Sequence, residues 1–276
     1  ALAVNGTSIG STKSRLYESF FQLIDNASRR KPAASSATAP VLNRFLQIVA
    51  WTLLTRGLPS VSEVVDSSAQ VLAVELQCPL LRAKTISADC QTYWVEVGLL
   101  ERISHAGEET ITFIHRSFAE FAAARYLCTL PEAERAQKIG SKIDQPAWDE
   151  VLDFAASSGL VNEVVDACTP DAIDSFKRAL RLAAESDAPP SAERVQALVD
   201  RAFEHVTGDR REIAHAVGCL LEQISRRYPE AVREKAKEYI YAPHPWTRLV
   251  SWACLVNCGR DSFDFGDMTN ALMQLP

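Results

Sequence analysis

The chain lacks an apolar run approaching the roughly 20 residues that a membrane helix requires, so neither a membrane-spanning helix nor a membrane partner is expected. It also lacks a surplus of basic charge. Lys and Arg number 29 against 35 Asp and Glu, for a formal charge of -6, which argues against a surface built mainly to hold nucleic acid phosphates. Cysteines paired for secretion are missing as well: Cys78, Cys90, Cys128, Cys168, Cys219, Cys254 and Cys258 are odd in number and widely spread. Reduced thiols and a cytoplasmic location are expected. The opening Ala1-Leu2-Ala3-Val4-Asn5-Gly6 has no initiating Met and no basic leader region, and the chain is expected to be a fragment of a longer protein. At 276 residues and 47% hydrophobic content, one or two globular domains can form.

Catalytic and metal-binding signatures are equally scarce. Gly6-Thr-Ser-Ile-Gly10-Ser-Thr-Lys13-Ser14 resembles a phosphate loop, but aligning Lys13-Ser14 with the motif puts Thr7 and Thr12 where its glycines belong. A helix start capped by Ser11 or Thr12 is expected instead. Asp264-Phe265-Gly266 copies a kinase metal-binding triplet without a Gly-rich or catalytic loop to go with it. Cys254 and Cys258 share a helical face with only His244 near in sequence, so buried thiols are expected rather than a metal site. No residue is assigned to catalysis or to a metal, and no enzyme activity is expected of this fragment.

What is present is helix. Leu16, Phe20, Leu23 and Ile24 form one stripe of a helix over 15–24, followed by a Pro/Ala/Ser-rich linker at 31–40. Val41, Leu42, Phe45, Leu46, Val49 and Leu53 predict a second helix, ended by Gly57 and Pro59. Ser60 or Ser62 can cap a third helix running to about Leu76, with Glu63 and Asp66 early in it. A further helix is predicted from about Ser87 to Val97.

The stretch from Gly98 to Leu127 then changes period. Leu99–Ser104 and Thr110–Ile114 flank the polar turn His105–Glu109, which predicts a β-hairpin. Ser117, with Glu120 three residues on, reads as a capping box opening a helix with Phe118, Phe121, Ala122 and Tyr126 along it. Three helices, a two-stranded wing and a long helix are the order of a winged-helix domain, placed at about 40–130. Such domains often read DNA with the helix before the wing, yet Thr85–Gly98 has no Lys or Arg and carries Asp89 and Glu96. DNA binding is therefore not expected.

Beyond Pro131 no strand pattern is visible. Helical segments are predicted at 148–157, 161–167, 171–184, 191–205, 211–227, 229–239, 246–257 and 268–275, broken at Ala188-Pro-Pro190 and Ala242-Pro-His-Pro245. Short consecutive helices suggest a HEAT-like array. The fold class expected is thus mostly α: a winged-helix domain with one β-hairpin, followed by an α-helical array. Trp246 and Arg248 make a candidate aromatic and basic ligand patch on it, whereas Trp252 fits the core equally well.

Thr112-Phe-Ile-His115-Arg-Ser-Phe118-Ala-Glu120-Phe121-Ala-Ala-Ala-Arg-Tyr126-Leu127, together with Gly98-Leu-Leu-Glu and the upstream Leu16-Tyr17-Glu18 helix, resembles the NACHT-type STAND NTPases over about residues 13–130. Judged by local pattern alone, His115 is a histidine that caps or packs locally. The resemblance gives it another role, since in that family the winged-helix histidine reaches the β-phosphate of bound ADP and holds the protein closed. Phe118, Phe121 and Tyr126 match family positions too, but at helical spacing they read as core. The chain departs from the family in lacking the Walker A, Walker B and sensor elements. The resemblance therefore implies three parts: a leading helix and linker at 1–39, a winged-helix domain at 40–130, and a sensor array at 131–276. It implies ADP or ATP with Mg in the parent protein and none in this fragment. The implied partners are the NTPase core of the same chain, a trigger ligand on the array, and further copies of the activated protein. Two rivals stand beside it, a stand-alone helical interaction scaffold and a winged-helix DNA-binding regulator.

Overall fold

A computed structural model describes residues 13–28, 38–105, 107–168, 172–259, 266 and 269. The phosphate-loop look-alike up to Thr12, the linker up to residue 37, Asp264-Phe265 and, Thr269 apart, the helix predicted at 268–275 lie outside them. The chain is mostly helical with one small antiparallel sheet, and it divides into two compact units. One gathers the described residues up to Arg135 with Ala147–Ser158; the other gathers Ala136–Pro146 and those from Gly159 on.

The first unit opens with α1 (Lys13–Ser28) and α2 (Leu42–Arg56), the latter entered through a short 3-10 turn at Ala39–Val41. Phe45, Leu46, Ile48, Val49 and Leu53 bury one face of α2, and Gly57, at φ +87, ends it by donating its N–H to the Leu53 carbonyl. This left-handed conformation suits a glycine. Ser60 caps α3 (Val61–Glu75) in a full capping box. Its hydroxyl accepts from the Glu63 N–H, and the Glu63 carboxylate accepts from the Ser60 N–H at 2.7 Å. The Ser60 backbone N–H first, and the Ser60 hydroxyl after it, hold the exposed Glu63 carboxyl below its ordinary range.

Helix α4 spans Leu80–Glu96 and starts directly after Pro79, seven residues before the expected Ser87. Its first turn buries only the small Ala83, since Leu80 is 46% and Leu81 78% exposed, and large buried side chains begin with Ile86, followed by Tyr93 and Trp94. Arg82 and Lys84 therefore belong to this helix, and the absence of cations holds only from Thr85 onward. Lys84 is paired with Asp66 at 2.7 Å.

The hairpin pairs β1 (Leu100–His105) with β2 (Glu108–Phe113), Leu100 opposite Phe113 and His105 opposite Glu108. The strands thus run two residues closer to the turn than expected at the β2 end, and Gly107 sits at φ +85 in the shortened connection. Leu100, Ile111 and Phe113 are buried, and Thr110 forms a bridge to Ser60 ahead of α3. Helix α5 (Arg116–Cys128) packs against α2 and against α7 (Asp149–Ala155). Arg44 ties three helices together: its guanidinium meets the Glu75 carboxylate at 2.5 to 3.0 Å and Thr129 Oγ1 at 2.5 Å, and lies 5.0 Å from the Tyr126 ring. The Trp94 indole donates to the Leu42 carbonyl at 2.9 Å.

Helix α6 (Glu132–Gly140) was not expected. Ile139 is its only buried residue, which leaves no apolar stripe to read. The second unit holds α8 (Val161–Ala167), α9 (Ile173–Glu185), α10 (Ala192–Thr207), α11 (Arg211–Arg227), α12 (Pro229–Glu238) and α13 (Pro245–Asn257). Consecutive helices pack on each other, and α9 and α13 both pack on α11 as well. At Gly218 of α11 the approach is closest: a methyl group there would lie 2.8 Å from Val250 Cγ2 and 3.1 Å from the Trp246 ring. No described helix is long and apolar enough to cross a membrane.

Candidate functional site

His115 stands between β2 and α5 with extended backbone (φ -148, ψ 136) and is itself the N-cap of α5. This corrects the expected capping box. Ser117 lies inside the helix, where its own N–H donates to His115 Nδ1 at 3.2 Å, and an imidazole nitrogen acts as the capping acceptor in place of a hydroxyl. Glu120 does not reach back to the cap. Its carboxylate, 8% exposed, instead accepts from Arg116 Nε at 2.7 Å, and Arg116 also donates to the Ala147 carbonyl at 2.9 Å.

The hydrogen bonds around Ser117 define the histidine's chemistry. Tyr17 Oη, on α1, donates to Ser117 Oγ at 2.5 Å, so the serine hydrogen is left to bond His115 Nδ1, 2.6 Å away. With two donors aimed at it, Nδ1 is an acceptor. The proton of the neutral ring is thereby assigned to Nε2. His115 is exposed, and an exposed imidazole whose orientation is fixed through Nδ1 presents Nε2–H as a donor to an anion.

Aromatic packing holds Tyr17 in place. Its ring lies edge-on to Phe118 (centroids 5.4 Å) and Phe154 (5.3 Å) and stacks on Phe121 (5.7 Å). Phe121 and Tyr126 are buried, and Phe118 is half-buried between Tyr17 and Phe20. Leu16, expected on the inner stripe of α1, is 39% exposed, and Tyr17, Phe20 and Phe21 make the ring contacts instead. Sequence reading missed the Tyr17–Ser117–His115 relay because its ends lie about a hundred residues apart and no local pattern links them.

Trp246 and Arg248 belong to the other unit. The Trp246 indole donates to the Ala214 carbonyl at 3.0 Å and stacks on His215 at 4.8 Å. Arg248 donates to the carbonyls of Ala242 (2.9 Å) and Pro243 (3.3 Å), holding the turn before α13. Both side chains are half-buried, while Trp252 is buried. Cys254 and Cys258 are buried thiols. Cys258 donates to the Ser225 and Pro229 carbonyls, and burial pushes Cys254 up to about 12. Among the described residues no group of three or more His, Cys, Asp or Glu could hold a metal ion. No family model and no curated protein matches the chain.

Proposed function

We propose that this chain is the regulatory and sensing part of a NACHT-type STAND signalling NTPase, with a leading helix, a winged-helix domain at about 40–130 and a HEAT-like array from 131 on. In this reading His115 donates Nε2–H to the β-phosphate of ADP bound on the nucleotide-binding core of the parent chain and holds it closed. The observation that carries the reading is the two-donor clamp on His115 Nδ1, which leaves the opposite nitrogen as donor at an exposed joint.

A hydrogen bond from this imidazole to phosphate is charge-assisted and worth about 1.5–3 kcal/mol. That shifts a closed/open equilibrium roughly 10- to 150-fold, enough for a latch. Exchange of ADP for ATP adds a phosphate and favours another placement of the winged-helix domain, a rigid-body switch. The array supplies the trigger surface, with the half-buried Trp246 and Arg248 as its candidate ligand contacts. Release leads to self-association of the parent and to signalling, in innate immunity or in defence against phage. Catalysis, nucleotide and Mg belong to the parent's core, and the setting is cytoplasmic.

The pairing of consecutive helices with α9 and α13 also on α11 supports the array reading, and the helix order with the hairpin supports the winged helix. Sequencing upstream of Ala1 tests the reading first. Walker A and B motifs there agree with it, and their absence favours the stand-alone scaffold. A duplex-binding regulator draws on Arg82 and Lys84 in the first turn of α4, but Lys84 is already paired with Asp66 and Asp89 and Glu96 follow on the same helix. Salt-sensitive, sequence-selective duplex binding at physiological ionic strength would establish that rival instead.

A further inference from the structure

Helices α1, α2 and α5 line a half-open pocket of about 180 Å³, with opposite charges at its exposed edge and aromatic rings beneath. Ligand sites for drug-sized molecules run from about 300 Å³ upward, and a cavity near 150 Å³ takes a molecule the size of benzene. A small metabolite is therefore the size class that fits. Phe21 and Phe121, with centroids 5.3 Å apart, form the floor with Leu46, which is 1% exposed. Above it Glu18 and Arg125 face each other across 3.9 Å, a separation beyond direct hydrogen bonding. Gln22, Asn43 and Gln47 add three amides to the lining.

The charge pattern narrows the occupant. A simple anion drawn to Arg125 would meet the Glu18 carboxylate beside it, and a simple cation drawn to Glu18 would meet the guanidinium. A zwitterion laid antiparallel to the pair satisfies both. An α-amino acid carries its ammonium and carboxylate at a spacing comparable to that of the Glu18–Arg125 pair, so its carboxylate can bond Arg125 while its ammonium bonds Glu18. The floor of Phe21, Phe121 and Leu46 then favours an apolar side chain, because burying apolar surface against it is the gain this floor offers.

We infer that this pocket binds a free α-amino acid with an apolar side chain, of the size of leucine or phenylalanine. The inference stands apart from the nucleotide latch. It also has a structural consequence: Glu18 is the neighbour of Tyr17 on α1, so an amino acid bridging Glu18 and Arg125 holds α1 on α5 beside the relay to His115.

The test is titration of the whole 276-residue chain with L-leucine and L-phenylalanine, followed by calorimetry and amide chemical shifts. N-acetyl-leucine, which lacks the ammonium, and isoamylamine, which lacks the carboxylate, serve as probes of the two charges. The expected result is saturable binding at millimolar concentration or below, with shifts on α1, α2 and α5. Each blocked analogue should bind roughly tenfold or more weakly, as should the intact amino acids to Glu18→Gln and Arg125→Gln. Glu18 is exposed, so Glu18→Gln decides the matter if Arg125→Gln misfolds. No saturable binding, equal binding of the blocked analogues, or unchanged binding in Glu18→Gln would each overturn the inference.

Discussion

Gly218→Ala isolates the packing of the second unit in a single methyl group. The added carbon would sit 2.8 Å from Val250 Cγ2 and 3.1 Å from Trp246 Cζ2, well inside the 3.5–4.0 Å at which carbon atoms attract. Val250 is fully buried and Trp246 is tied to Ala214 by its indole hydrogen bond, so α13 itself must move. Overpacking of this kind costs about 1–3 kcal/mol, and replacing a mid-helix glycine with alanine returns about 1 kcal/mol of helix propensity. The net expectation is a loss of up to about 2 kcal/mol, or a fall in Tm of up to about 8 °C. Gly140→Ala serves as the control. A methyl group there meets nothing within 4 Å, and stability should hold or rise by about 0.4–1 kcal/mol. Thermal and urea unfolding, read by circular dichroism and tryptophan fluorescence, measures both variants. If Gly218→Ala were as stable as Gly140→Ala, the close approach of α11 and α13 would be wrong.

Three further outcomes follow from the chemistry of single groups. Burial pushes the thiols of Cys90 and Cys254 from 9.0 to about 12. A raised folded value means stability is complete below the unfolded value and is lost as pH climbs from 9 toward 12, by about 1.4 kcal/mol per pH unit for each thiol; Cys90→Ala and Cys254→Ala should flatten that decline in urea titrations, and an unchanged slope would refute it. Ser60→Ala removes the capping hydroxyl of α3 and should cost about 1 kcal/mol, with amide exchange accelerated in the first turn of α3 and left alone in α11. Nitrogen-15 spectra of the neutral ring should show His115 Nδ1 unprotonated and Nε2 protonated, and Ser117→Ala should increase the other tautomer; a wild-type ring protonated at Nδ1 would contradict the relay.

Legibility from sequence followed burial. The helices at 211–227 and 161–167 are legible because their buried residues recur at helical spacing, Ala214, Val217, Leu221 and Ile224 in the first and Val161, Val164 and Val165 in the second. The first turn of α4 was missed because Leu80 and Leu81 face outward, and α6 because it buries Ile139 alone. At the candidate site, His115 was singled out, and the local-pattern reading that it caps a helix describes what it does. Local pattern assigns the cap to Ser117, the commoner chemistry, and the role of Tyr17 depends on α1 docking against α5, a tertiary event that no window of sequence displays.

If His115 holds a nucleotide phosphate as proposed, its loss shows in the rate at which ADP dissociates. It should be measured in the chain joined to its nucleotide-binding core, for wild type and His115→Ala, with Ser117→Ala beside them. His115→Ala is expected to release ADP roughly 10- to 150-fold faster, from the about 1.5–3 kcal/mol of one charge-assisted bond, and Ser117→Ala to fall between. Equal ADP retention in wild type and His115→Ala would contradict the latch.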